Sequence, residues 1–88
     1  MNQTPNPSTK QIRLRYFAVL RDQSGKSEDT IETTAHDPAE LYQHLCQVAG
    51  LKLDRKHVRA AINGEFADWQ QPLRTGDEVV FIPPVSGG

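Results

Sequence analysis

Cysteine is almost absent from this chain: Cys46 is the only one, so no disulfide bond can form within it. An excess of one charge is absent too, since 10 lysine and arginine residues face 11 aspartate and glutamate residues. Nucleic-acid binders usually carry a clear basic excess. No apolar run approaches the length of a membrane span, and the amino-terminal residues lack the basic-then-apolar layout of a signal peptide. We therefore expect a cytoplasmic protein that binds neither nucleic acid nor membranes.

The residue types that usually form a metal or catalytic site do not occur at suitable spacings. His36, His44 and His57 show no metal-ligand spacing with Cys46 or with one another. The glycines at 25, 50, 64 and 76 are isolated, so they do not form a phosphate-binding loop. Cys46 lies beside an apolar helical stripe, which favours a small core or boundary residue over a nucleophile. We expect one domain without catalytic activity, metal site or tightly bound cofactor, which presents a surface or its chain end to a larger partner.

Two strands are predicted before the first long helix. Residues 12–17 alternate apolar and basic side chains, which is typical of a strand buried on one face. Residues 27–34 predict a second strand in a hairpin with the first, and residues 18–23 predict a short helical turn between them. Residues 1–11 are polar, contain two prolines and predict a disordered extension. The expected inward residues of the first strand are Ile12, Leu14 and Tyr16.

A strong helix start follows at residue 37. Asp37 can cap free backbone N–H groups, Pro38 suits the first helical position, and Glu40 has the spacing of a capping box. Gly50 is placed to end the helix. The spacing predicts one apolar helix face formed by Leu41, Leu45, Val48 and Ala49.

The remaining residues predict three more strands. Residues 58–62 form one, Asn63 and Gly64 form a tight hairpin turn, and Phe66 lies in a short return strand. Residues 78–82 form the last. The order ββαβββ predicts an α+β fold of the β-grasp (ubiquitin-like) type, with a mixed sheet of about five strands and one main crossing helix in residues 12–83. In such a sheet the first and last strands are neighbours.

Apolar side chains are also expected on the outer face of the sheet. If alternate residues of the last strand point inward, Val80 and Ile82 point outward, and Phe17 and Phe66 can join them in one patch. Isolated surface hydrophobes are an ordinary alternative. We favour a partner surface, because a contiguous patch here lies where the chain end leaves the fold. Three basic residues are expected nearby, either for solubility or facing an acidic protein surface: Arg13, Arg15 and Arg59.

The chain ends in two prolines, valine, serine and two glycines. Pro83 and Pro84 hold the backbone extended and cannot lie in a central strand. Gly87 has no Cβ and can pass through a narrow channel, and Gly88 carries an unhindered carboxylate that another enzyme could adenylate. We predict residues 84–88 as a flexible tail. On the two glycines alone, a frayed chain end is an equally good interpretation.

From residue 12 to residue 88 the chain resembles the small, sulfur-carrier subunit of molybdopterin synthase. The segments that carry the resemblance are YFAVLR at 16–21, ING at 62–64, LRTGDEV at 73–79 and FIPPVSGG at 81–88. The last of these is the most specific. The resemblance implies that an ATP-dependent adenylyltransferase related to ubiquitin-activating enzymes forms an acyl-AMP at Gly88, and that a sulfur donor protein converts it to a thiocarboxylate.

The resemblance further implies that the tail enters the active site of the large synthase subunit, in a heterotetramer of two small and two large subunits. There it donates sulfur to cyclic pyranopterin monophosphate in molybdenum cofactor biosynthesis. Gly88 then bears the sulfur, and Gly87 gives clearance. The residues expected to contact the large subunit or line its channel are Phe17, Phe66, Val80, Ile82, Pro83, Pro84, Val85 and Ser86.

Three other functions fit the same fold. One is a sulfur carrier of another pathway, such as thiamine synthesis or tRNA thiolation, although those relatives usually lack the Pro-Pro-Val-(Ser/Thr) stem. The second is a ubiquitin-like protein modifier whose Gly88 is conjugated to lysines. The third is a purely structural β-grasp interaction module, which should remain functional without the tail.

Overall fold

A computed structural model describes residues 9–84 of the chain. The helices are α1 (Ala18–Ser24) and α2 (Pro38–Val48), and a 3₁₀ turn spans Arg55–His57. The strands are β1 (Lys10–Tyr16), β2 (Glu28–Thr33), β3 (Arg59–Ile62), β4 (Glu65–Ala67) and β5 (Glu78–Ile82). The predictions for residues 1–8 and for 85–88 lie outside the described residues.

The five strands form one mixed sheet in the order β2-β1-β5-β3-β4. β1 and β5 are parallel neighbours at its centre, and the other pairs are antiparallel. The β-grasp prediction is therefore confirmed, including the adjacency of the first and last strands. The β3–β4 hairpin also turns at the predicted residues, because Asn63 and Gly64 both adopt positive φ, at 53° and 88°.

The hydrophobic core lies between the inner face of the sheet and α2. Ile12, Leu14 and Tyr16 are buried as their alternation predicts, and the core residues of β5, Val79 and Phe81, are fully buried. Phe81 contacts two aromatic rings, that of Tyr42 on α2 at 5.1 Å between centroids and that of Trp69 at 6.0 Å. One face of β5 thus packs into the core, and Val80 and Ile82 lie on the opposite, outer face of the strand.

The buried stripe of α2 differs from the prediction. Leu41 and Leu45 are buried, but Val48 is 64% exposed, and Tyr42 occupies the core instead. At 100° per residue, the stripe is centred between the directions of Leu41 and Tyr42. Val48 lies at the edge of this stripe and is the last residue of the helix.

Two local predictions are also revised. β1 begins at Lys10, two residues inside the segment predicted to be disordered, because the N–H of Gln11 donates to Thr75 Oγ1 at 2.8 Å and its carbonyl accepts from Gly76. At the start of α2, Asp37 caps the N–H of Glu40 as predicted, at 2.9 Å. The Glu40 carboxylate, however, accepts from the N–H of His36, one residue before the expected capping-box partner.

Candidate partner-binding face

The outer side of β5 supplies the centre of the candidate site. Val80 and Ile82 are half-buried there, while the residues that alternate with them are fully buried in the core. β5 lies between β1 and β3, so side chains from both neighbours flank these two residues. The arrangement follows from the period of two along a strand.

Phe66 completes an apolar surface with these residues. Its ring is 61% exposed on β4, and it lines a depression of about 200 Å³ together with Ala61, Val80 and Ile82. Ala61 is buried although it shares this side of the sheet, and it lies between its strand partners Phe66 and Val80. We call these four residues, Ala61, Phe66, Val80 and Ile82, the apolar face. The structure thus brings together three of the residues that the sequence predicted.

Phe17 lies at the edge of this surface rather than in the depression. It directly follows β1, has extended backbone angles and is 44% exposed. The guanidinium of Arg15 lies 5.8 Å from the centre of its ring, and Arg15 is the β1 partner of Val80. Phe17 therefore shares the outer side of the sheet with the apolar face.

A second concavity, of about 450 Å³, lies where β5 ends, and we call it the tail-root groove. Its apolar lining comes from Val58, Phe66, Ile82, Pro83 and Pro84. Pro83 is itself buried, whereas Pro84 is exposed, so the chain leaves the fold between these two residues. The other predicted tail residues, Val85, Ser86, Gly87 and Gly88, lie outside the described residues.

The groove has a basic wall that the sequence interpretation only partly anticipated. Arg59 was expected on the outer face, and its guanidinium lies 4.0 Å from the centre of the Phe66 ring. Lys56 and His57, which also line the groove, were missed. The available signal was the inward position of Val58, which places its neighbours His57 and Arg59 outward.

Cys46 and Glu40 both lie on α2, and the pKa of each is shifted by its surroundings. Cys46 is half-buried against the core, and this burial raises the pKa of its thiol, so the reactive thiolate is disfavoured. A backbone hydrogen bond from His36, reinforced by its ring, lowers the pKa of the Glu40 carboxyl at the exposed start of α2.

Within residues 9–84, no group of three or more histidine, cysteine or acidic residues could hold a metal ion. Neither helix in this part of the chain is long and apolar enough to cross a membrane.

Comparisons with known proteins match this chain over most of its length. The ThiS family matches residues 14–88. The molybdopterin synthase sulfur carrier subunit of Chlamydomonas reinhardtii is 38% identical over 82 residues, covering 89% of this chain and 99% of that protein. The subunit of the same name from Escherichia coli K12 is 35% identical over 82 residues, covering 88% and 99%.

Solved structures share the fold of this chain. A chain in the complex of subunits 1 and 2 of molybdopterin-converting factor from Helicobacter pylori is 29% identical, with a TM-score of 0.63 over 89% of this chain and 99% of that one. SAMP1 from Haloferax volcanii has a TM-score of 0.71 over 89% and 99%, and at 23% identity it supports the fold alone.

Proposed function

This chain belongs to the ThiS family and to the family of molybdopterin synthase sulfur carrier subunits, and on that premise we propose that it carries sulfur on the carboxyl group of Gly88. The proposal includes delivery of that sulfur to cyclic pyranopterin monophosphate, in a catalytic site that belongs to the large synthase subunit. The chain then acts as a co-substrate in the cytoplasm, and ATP is consumed by its activating enzyme.

The observation that carries the proposal is the uncovered apolar face beside the root of the tail. Phe66 is mostly exposed, and Val80 and Ile82, half-buried on the central strand β5, line the same depression. Exposed apolar groups arranged contiguously mark partner surfaces. Docking through this face would direct the residues after Pro84 toward the same partner. The Helicobacter pylori complex of subunits 1 and 2 supports a large-subunit partner for this chain.

The chemistry follows from the reactivity of a carboxylate. It is a poor electrophile at neutral pH, so its oxygen first attacks the α-phosphorus of ATP and pyrophosphate leaves. A hydrosulfide equivalent from the sulfur donor then attacks the acyl carbon, and AMP departs with one carboxylate oxygen. The thiocarboxylate that remains is a soft nucleophile on a tether, and tethering raises its effective concentration in the partner site.

Intact mass spectrometry tests the carrier step. The full chain is incubated with ATP, the activating enzyme and the sulfur donor of its own organism. We expect the mass increase that replaces one oxygen by sulfur, localised to Gly88, and no increase in a variant that lacks Gly88. An unchanged mass with a demonstrably active enzyme would reject the carrier function. Isopeptide-linked products instead would identify a protein modifier.

The transfer step has its own test, the Gly87→Ala variant. A methyl group at residue 87 adds bulk where the tail must enter a narrow channel. We expect the variant to form the thiocarboxylate but to produce molybdopterin at least about tenfold more slowly with the large subunit, a rate change that corresponds to about 1.4 kcal/mol in the barrier. Molybdopterin formation at the normal rate would contradict the channel argument.

A further inference from the structure

The tail-root groove carries the positive charges of Lys56 and Arg59, beside the imidazole of His57. Among residues 9–84, none of the residues that line it is acidic. The ion pairs found within residues 9–84 are Lys26–Asp29 and His36–Glu40, so none of these three side chains is paired there. The nearest acidic neighbour in sequence, Asp54, accepts from the backbone N–H of Lys56 and lines a different groove beside α2.

Other arginines on the same side of the sheet have acidic neighbours. Arg13 lies opposite Glu78 on β5, and Arg15 lies opposite Glu28 on β2. Arg59 instead lies opposite Ile82. The net charge of the chain is only −1, so this basic wall is a local feature and not part of a general positive surface. A broad polyanion such as nucleic acid is therefore a poor match.

The geometry of Arg59 suits a carboxylate. Its guanidinium carbon lies over the Phe66 ring, 4.0 Å from the ring centre, which is the distance of a cation–π contact. The N–H donors lie in the guanidinium plane, and their fork matches the two oxygens of a carboxylate. The contact with Phe66 also restricts the side chain in advance, so less conformational entropy is lost when a ligand binds.

More than half of the residues that line the groove are apolar, among them Phe66, Ile82 and Pro84, so an apolar side chain can replace water there. The groove is also continuous with the apolar face, because Phe66 and Ile82 belong to both. We infer that the tail-root groove binds a segment of a partner protein in which an apolar side chain is flanked by aspartate or glutamate. This inference deepens the proposed function and rests on it for the existence of a protein partner.

Amide chemical shifts of the isotope-labelled full chain test this inference with a defined probe. The probe is a short blocked peptide with leucine between acidic residues, and its control replaces those residues with asparagine and glutamine. We expect saturable shifts at Val58, Arg59, Phe66 and Ile82, with a dissociation constant about tenfold lower for the acidic peptide in about 0.05 M salt. The difference should shrink in about 0.5 M salt, because screening weakens exposed charge pairs.

Matched variants separate a local contact from a general charge effect. Arg59→Gln should abolish most of the preference for the acidic peptide, whereas Arg13→Gln, which removes the same charge from the same side of the sheet, should retain it. Equal loss in both variants, equal binding of both peptides, or binding of neither would overturn the inference. So would stronger shifts at the same residues with oligothymidylate, or concentration-dependent shifts without peptide, which would indicate a polyanion or a second copy of the chain.

The titration contains neither the activating enzyme nor the large subunit. If the peptide titration contradicts the groove inference, the mass measurement at Gly88 still tests the carrier function. If the mass measurement contradicts the carrier function, the peptide titration still tests binding in the groove.

Discussion

Asn63 joins the β3–β4 hairpin to the turn that precedes β5. Its side-chain amide donates to Asp77 Oδ1 at 2.9 Å, and its side-chain oxygen accepts from the N–H of Glu78 at 3.0 Å. Its own N–H donates to the Glu78 carbonyl at 2.8 Å. Asn63 also adopts φ of 53°, which asparagine tolerates better than most residues. One residue thus serves the turn and the start of the strand that leads to the tail.

Replacing Asn63 should separate these two roles. Asn63→Gly keeps the positive φ but loses both side-chain hydrogen bonds, so we expect a loss of about 1–2 kcal/mol in the free energy of unfolding. Asn63→Ala also strains the turn and should cost about 1 kcal/mol more. Urea denaturation of the two variants measures both values. Equal stability of the alanine and glycine variants would show that the turn is not strained.

Phe66 should matter for binding far more than for stability. Because its ring is 61% exposed, Phe66→Ala should change the free energy of unfolding by no more than about 1 kcal/mol. At the centre of an interface the same truncation typically costs about 2 kcal/mol or more of binding free energy. We expect the affinity for the large synthase subunit to fall by at least about tenfold.

Val48→Ala is the control for this comparison. Val48 is 64% exposed at the end of α2, away from the apolar face, and its truncation should leave the affinity unchanged. Titration calorimetry of both variants with the large subunit gives the two values. Similar losses of affinity would show that the apolar face is not the docking surface.

At the scale of the element, α2 depends on its first turn. Asp37 caps the N–H of Glu40, and Pro38 follows at the first helical position. Asp37→Ala leaves that N–H without its partner and should lower the free energy of unfolding by about 1 kcal/mol. Asp37→Asn retains the cap and should lose much less. Chemical denaturation followed by circular dichroism compares the variants, and equal losses would attribute the effect to charge instead of capping.

Most elements could be predicted from the sequence, because each has a local signal. The helix start at Asp37, the turn at Asn63 and Gly64, and the limits of β5 are all observed where predicted. The start of β1 could not be found this way. The N–H of Gln11 donates to the hydroxyl of Thr75, 64 residues away in the sequence. No pattern in the polar residues before Ile12 predicts this long-range contact.

The apolar part of the candidate site could also be predicted from local patterns, whereas its basic wall could be predicted only in part. Alternation along β5 placed Val80 and Ile82 outward, and the return strand placed Phe66 beside them. The basic wall depends instead on the 3₁₀ turn that Asp54 caps before β3. A connection of this kind has no period from which the direction of Lys56 can be read.

At the scale of the whole molecule, two buried tyrosines should control stability in alkaline solution. Burial, reinforced by nearby Asp29, raises the pKa of Tyr16 from 10.0 to about 12. Burial, reinforced by Cys46 and Asp54, raises the pKa of Tyr42 to about 12 as well. The folded state therefore holds protons that the unfolded state releases above pH 10.

Their contribution to stability should be complete below about pH 10 and should be lost as the pH rises to about 12. The slope should reach about 1.4 kcal/mol per pH unit for each tyrosine. Denaturant midpoints measured across this range, for the parent and for Tyr16→Phe, test the expectation. The variant should lose stability with about half of the tyrosine-dependent slope. An unchanged slope would assign the alkaline transition to other groups.

The parallel pairing of β1 with β5 has a mechanical consequence. Lys10 begins β1 at one end of this strand pair, and Ile82 ends β5 at the opposite end. A pulling force applied at these two points runs along both strands, so the evenly spaced hydrogen bonds between them bear the load together in shear and do not open one at a time. If a partner pulls on the chain beyond β5, the tension therefore passes directly into the central β1–β5 pair of the sheet.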